Sequence, residues 1–196
     1  MSNTELFERL LTNHKEKKIQ SCCKKLIKKC SFDSGADAEN LCHLAFWLFV
    51  YEYEDEALLI CELTHNVPFP GKGMWNVWDF IMFIWGLEVH ILKKRGHEDL
   101  ANRIIEKMDA LWLTSLGGAQ RTYEQEMARR ERFDLAFCSH SEEIEHSYSP
   151  SLANGYRFTA LFKLVGYTAT DLYPNLKSEK RQVEEIVTSY MEELRK

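Results

Sequence analysis

Little in this sequence punctuates the chain. Only nine Gly and four Pro stand among 196 residues, a scarcity that argues against a loop-rich all-β design. The six cysteines (Cys22, Cys23, Cys30, Cys42, Cys61 and Cys138) include no CxxC pair, so a zinc ribbon and a thioredoxin-like redox motif are excluded by spacing. GxSxG, HExxH, Walker A and GxGxxG motifs are all missing, which removes the common hydrolase, zinc-protease and nucleotide-binding templates.

There is also no excess of positive charge and no long apolar run. Lys and Arg total 25 against 30 Asp and Glu, a net charge of -5, so the broad positive field that nucleic-acid binding needs is lacking. The most apolar stretch, Met74 to Leu92, is interrupted by Asn76, Asp79, Glu88 and His90. Its longest run, Phe80 to Leu87, falls far short of the roughly 20 residues of a membrane span. The opening MSNTELFERL is polar and acidic and does not read as a signal peptide. A cytoplasmic location is expected, with thiols used as small hydrophobes in a reducing compartment.

What is present is helical periodicity. Ile19, Cys22, Cys23, Leu26, Ile27 and Cys30 share one set of offsets, and Val183, Ile186, Val187, Tyr190, Met191 and Leu194 repeat it. Apolar residues at these offsets lie on one helix face. Breakers at Ser34-Gly35, Pro68 to Gly73, Gly117-Gly118, Ser149-Pro150 and Tyr173-Pro174 divide the chain. The pattern predicts helices near 4–13, 15–30, 37–52, 54–66, 75–95, 97–113, 119–137, 150–172 and 178–195. Sustained period-two alternation is missing, so no sheet is expected. The expected fold is all-α, a single domain over 1–196 of about eight or nine helices in stacked antiparallel hairpins.

Two segments share a helix–turn–helix pattern. Tyr51-Glu52-Tyr53-Glu54-Asp55-Glu56-Ala57-Leu58 and Lys94-Arg95-Gly96-His97-Glu98-Asp99-Leu100-Ala101 align with Ala57 and Ala101 44 residues apart. An acidic turn suits a helix start, and a small residue one turn in lets a helix pair pack closely. With Ala45 in the first helix, residues 38–112 resemble a tetratricopeptide-like helical hairpin repeat. The resemblance implies a stacked-hairpin superhelix that binds protein segments. Three features depart from that family: the period is 44 rather than about 34, Val89 stands at the small position of the second unit, and Glu52 stands at the turn glycine of the first. A non-repetitive α-bundle with two similar hairpins is the alternative.

Several residues could carry chemistry. Glu62 with His65, and Glu143 with His146, form two Glu-x-x-His motifs, the ligand pattern of di-iron bundles, for which Glu88 or Glu126 could supply further ligands. The first copy sits at a helix end just before Val67-Pro68 and the second in a polar stretch before Ser149-Pro150, so no metal or other cofactor is expected and the metal-dependent bundle is the second reading. Cys22 lies beside lysines yet on the apolar stripe, so a buried structural thiol is expected. The seven lysines in 15–29 are read as a solvated face, since the apolar side lacks the aromatic residues of membrane-surface helices.

A non-enzymatic protein-binding module is the preferred reading, of the kind that includes bacterial toxin-neutralising immunity proteins. Asn76, Asp79, Phe83 and His90 share a helix face that would line the concave side, and Asn154 and Arg157 would extend it. The acidic groups Glu52, Glu54, Asp55 and Glu56, or Glu142, Glu143 and Glu145, would meet a basic partner surface. A homodimer completed by an apolar helix face is the third reading.

Overall fold

The computed structural model describes residues 3–28, 30, 35–65, 75–116, 157–162, 164–166 and 180–196. The described residues contain no strand. They form α1 (Asn3–Asn13), α2 (Lys17–Lys28), α3 (Gly35–Val50), α4 (Glu54–Thr64), α5 (Trp75–Lys94), α6 (Glu98–Leu116) and α7 (Lys180–Leu194). Residues 157–162 and 164–166 are also helical. The all-α expectation is met, and the helix ends fall close to those read from periodicity. The expected helix over 119–137 lies outside the described residues.

Consecutive helices pack as antiparallel pairs. α1 lies against α2, α3 against α4 and α5 against α6, while α2 meets α3 and α4 meets α5 across the pair boundaries. The first helices of the second and third hairpins, α3 and α5, also touch each other. The amphipathic α2 shows why. Ile19, Cys22, Cys23 and Leu26 are buried while Lys24, Lys25 and Lys28 are exposed, as the stripe predicts.

α3 is the central rod. From Leu41 to Val50 every residue but His43 is buried, because LCHLAFWLFV offers no solvated face, and a helix apolar all round needs neighbours all round. α2, α4, α5 and α7 supply four of them. Helical residues 157–162 supply another: Phe158 stacks on Trp47 at 4.1 Å between ring centres, and Phe162 lies 4.4 Å from Phe46. His43 sits among Phe80, Phe158 and Phe162. Burial lowers its pKa, outweighing the opposing pull of Glu39, which favours the neutral ring in this aromatic setting.

The hairpin turns repeat atom for atom in their backbone bonding. After α3, the N–H of Glu52 donates to Phe49 O and that of Tyr53 to Leu48 O. After α5, Gly96 donates to Lys93 O and His97 to Leu92 O. Each is a Schellman motif, which satisfies the last carbonyls of a helix and needs a left-handed residue just past its end. Gly96 takes that role at φ 77° and Glu52 at φ 68°. The next helix starts alike in both: Ala57 N donates to Tyr53 O and Ala101 N to His97 O, and both alanines are fully buried. Glu52 thus occupies the turn-glycine position of the hairpin.

That position carries a cost, since a side chain at positive φ is strained by about 1 kcal/mol relative to glycine. Glu52→Gly is expected to stabilise the fold by about 0.5 kcal/mol, the relief being partly offset by loss of the exposed Glu52–Arg195 ion pair at 3.0 Å. Gly96→Ala, which meets no atom within 4 Å, is expected to cost about 1 kcal/mol through its backbone alone. Urea unfolding of the two variants checks both signs.

Candidate interaction cleft and the His65 cluster

The two hairpin turns lie side by side. Arg95 donates to Asp55 Oδ1 at 2.7 Å and to Glu54 Oε2 at 3.2 Å, and Lys94 pairs with the other oxygen of Glu54. The basic end of α5 therefore neutralises the acidic start of α4, an arrangement that also suits both helix dipoles. Partial burial works to raise the Glu54 pKa, but the hydrogen bonds and charges of Lys94 and Arg95 hold its carboxyl below the usual value. Glu52 is taken up by Arg195, whose guanidinium also donates to the carbonyl of Val50. The acidic turn is consequently not an open negative patch. Three of its four carboxylates are engaged within the chain.

Arg195 ties the end of α7 to the end of α3 and the turn that follows it. At the other side Arg157 pairs with Glu193 and lies over the Tyr190 ring at 5.9 Å, with Tyr190 and Val187 buried beneath. A cleft of about 580 Å³ opens between α7 and the α3–α5 ends. Phe49, Val187 and Met191 give it apolar walls, and His90 stands against Phe49 edge to face at 5.5 Å. Five carboxylates (Glu52, Glu54, Glu98, Glu184 and Glu192) face three cations (Lys93, Lys94 and Arg195). Lys94 and Arg195 already have carboxylate partners, so the cleft is acidic. A shallower groove on α7, lined by Glu184, Glu185, Thr188, Ser189 and Glu192, continues its rim.

A second polar assembly lies between α4, α5 and α6. Lys107 Nζ is 2.9 Å from His65 Nδ1, and His65 Nε2 is 2.6 Å from Glu88 Oε2. An ammonium only donates, so Nδ1 accepts and Nε2 carries the proton to Glu88. The imidazole stacks on Trp85 at 4.8 Å and 15°, and Lys107 Nζ sits 4.6 Å from the same indole. Trp85 Nε1 donates to Thr64 Oγ1 at 2.8 Å, which donates in turn to Cys61 O at 2.6 Å. Both imidazole nitrogens are used, and the Thr64 hydroxyl is buried and bonded. The cluster therefore braces the end of α4 against α5 and α6. A cation on His65 would have to tolerate the Lys107 ammonium against the same ring.

The sequence-named residues divide accordingly. His90 and Glu54 line the cleft, while Glu56 is half-buried and Asp55 exposed at the turn. Phe83 is a core residue, 6.2 Å from Phe162 between ring centres, because Phe162 and Gly166 lie against that face of α5. Asn76 and Asp79 lie on α5 with side chains outside the described set. Asn154, Glu142, Glu143, Glu145, His146 and Glu126 lie outside the described residues. Glu62 is exposed on α4 while His65 turns inward to Glu88. Among the described residues no group of three or more His, Cys, Asp or Glu is placed to hold a metal ion. Lys107 and Arg195 carried no sequence signal. Their partners lie 42 and 143 residues away.

The thiols behave as core groups. Cys22, Cys23, Cys42 and Cys61 are buried and unpaired. Burial pushes Cys22 up to about 11 against the opposing charges of Lys25 and Lys18, and pushes Cys23 to about 12. A folded-state pKa above the unfolded value favours the folded state below the unfolded value and loses that contribution as pH rises through the folded value. Stability is therefore expected to fall between about pH 9 and pH 12. These four thiols are expected to react with an alkylating reagent at pH 8 only after unfolding, which mass spectrometry of modified peptides reads directly.

Among the described residues no helix is long and apolar enough to cross a membrane. Residues 2–115 match a family described as a family of unknown function (DUF6707). This match spans more than half of the chain, which therefore belongs to that family. No curated protein matches the chain, and no solved structure matches it.

Proposed function

We propose that this member of a family of unknown function is a non-enzymatic, cytoplasmic protein-binding module built on tetratricopeptide-like helical hairpins. The observation that carries the reading is the 44-residue recurrence of one turn, with the same Schellman bonding, a left-handed residue at the same position (Glu52, then Gly96) and a buried alanine at the same position. Recurrent hairpins stacked through neighbours make an extended surface suited to recognising another polypeptide. The polar cluster at His65 supports this reading over catalysis, because its groups are spent on one another.

A narrower form of the proposal is a toxin-neutralising immunity-type protein, whose acidic surface meets a basic partner and whose association is fast and salt-sensitive. The test is capture from the native host with the immobilised full chain at low and at high salt. A specific protein retained at low salt and weakened at high salt is the expected result. Retention of no protein at either salt overturns the reading. Recovery of only a second copy of this chain, with a concentration-dependent melting point, replaces it with a structural dimer.

A further inference from the structure

We propose that the cleft between α7 and the ends of α3 and α5 seats a basic amphipathic segment of a partner protein. This deepens the protein-binding reading and rests on it. The occupant follows from the chemistry of the walls. Glu98, Glu184 and Glu192 form an acidic rim, with Glu185 and Ser189 continuing it along α7. The other two cleft carboxylates, Glu52 and Glu54, are engaged by Arg195, Lys94 and Arg95. The rim therefore selects lysine or arginine side chains. Between the rims, Phe49, Val187 and Met191 offer apolar contact to the other face of the same segment.

Size and preparation agree with this occupant. At about 580 Å³ the cleft lies inside the usual 300–1,000 Å³ span of binding pockets, enough for the few anchoring side chains of a helix laid in a groove. Its outer wall is already in place. Arg195 ties one end of α7 to Val50 O and Glu52, and Arg157 ties Glu193. A preformed wall spares the ordering cost of binding. Charges at a partly open rim act mainly on encounter rate and choice of partner, and salt screens them.

The probe is a fluorescent synthetic peptide of about fourteen residues with leucines on one helical face and lysines on the other, titrated into the full chain and followed by anisotropy. Saturable binding is expected, weakening as salt rises. The double variant Glu184→Lys/Glu192→Lys should bind at least about tenfold more weakly, whereas Glu8→Lys/Glu62→Lys, with the same change in net charge on exposed positions of α1 and α4, should lose less than about twofold. A matching leucine–glutamate peptide should not bind. Circular dichroism confirms that both variants fold.

Absence of saturable binding, equal loss in the two double variants, or equal binding of the acidic peptide overturns the proposal. The wider reading is separable from it. A host protein retained equally by the wild type and by Glu184→Lys/Glu192→Lys removes the cleft and leaves the module. Retention of nothing by the wild type removes the module itself.

Discussion

Gly86→Ala is expected to lower stability by about 3 kcal/mol, and Gly166→Ala to leave it unchanged or raise it slightly. The two glycines face each other where α5 meets helical residues 164–166. A Cβ built on Gly86 would stand 2.5 Å from the Cα of Gly166. That is backbone meeting backbone, and neither helix can yield without shifting the residues beside it. Phe83 and Phe162 pack at this crossing, so a shift there reopens the face of α3 that they help to cover. A Cβ on Gly166 instead points past Gly86 and meets the Phe83 ring at 3.5 Å, an ordinary contact. In helices alanine is favoured over glycine by about 0.5–1 kcal/mol, which leaves the second substitution neutral or better. For a chain of this size the first should lower the melting temperature by about 6–12 °C. Equal losses for the two would mean that the close approach at Gly86 is not made.

The crossing was hidden in the sequence because two isolated glycines, 80 positions apart, carry no periodic signal. Helices with one solvated face were legible from spacing alone. α2 shows its Ile19/Cys22/Cys23/Leu26 stripe against lysines, and α7 shows Val187 and Tyr190 against glutamates, so each announces both its type and its inward side. α3 was legible in a different way. It has no polar face, which signals burial without saying which neighbours provide it. The hairpin turns were readable as a 44-residue echo, and the substitution of Glu52 for the turn glycine was visible too. Whether Glu52 kept the left-handed backbone depended on the Schellman bonds, which only the structure supplies.

The site was less legible, for a physical reason. Charge in sequence is additive, but charge on a surface depends on pairing. Glu52, Glu54 and Asp55 read as an acidic patch until Lys94, Arg95 and Arg195 are brought against them from 40 or more residues away. The net negative surface moves instead to Glu98 and to α7. Two residues of the sequence-read stripe on α5 part company for a related reason: Phe83 packs against Phe162 in the core, while His90, seven residues further along α5, lines the cleft. Long-range packing decided which end of one helix face stays accessible.

Trp85→Ala is expected to cost about 4 kcal/mol, the other large effect. Trp85 is 2% exposed, and removing a buried indole costs about 3–5 kcal/mol through lost transfer energy and the cavity left behind. Its neighbours raise the figure within that range. His65 loses its stacking partner, Lys107 loses the ring beneath its ammonium, and Thr64 loses a donor. The hydrogen bond can be separated from the packing. Thr64→Val leaves a buried N–H on Trp85 without its acceptor, at a cost of about 1–3 kcal/mol, and also removes the hydroxyl that bonds Cys61 O. Trp85→Phe removes the donor and some volume, at a cost of about 1–2 kcal/mol. Once the donor has gone, losing the acceptor strands nothing, so the double variant should cost less than the sum of the two singles. Urea midpoints of the three proteins give the coupling. A strictly additive pair would mean that the indole N–H is satisfied elsewhere, and that the bond from α5 to the end of α4 does not hold the hairpins together.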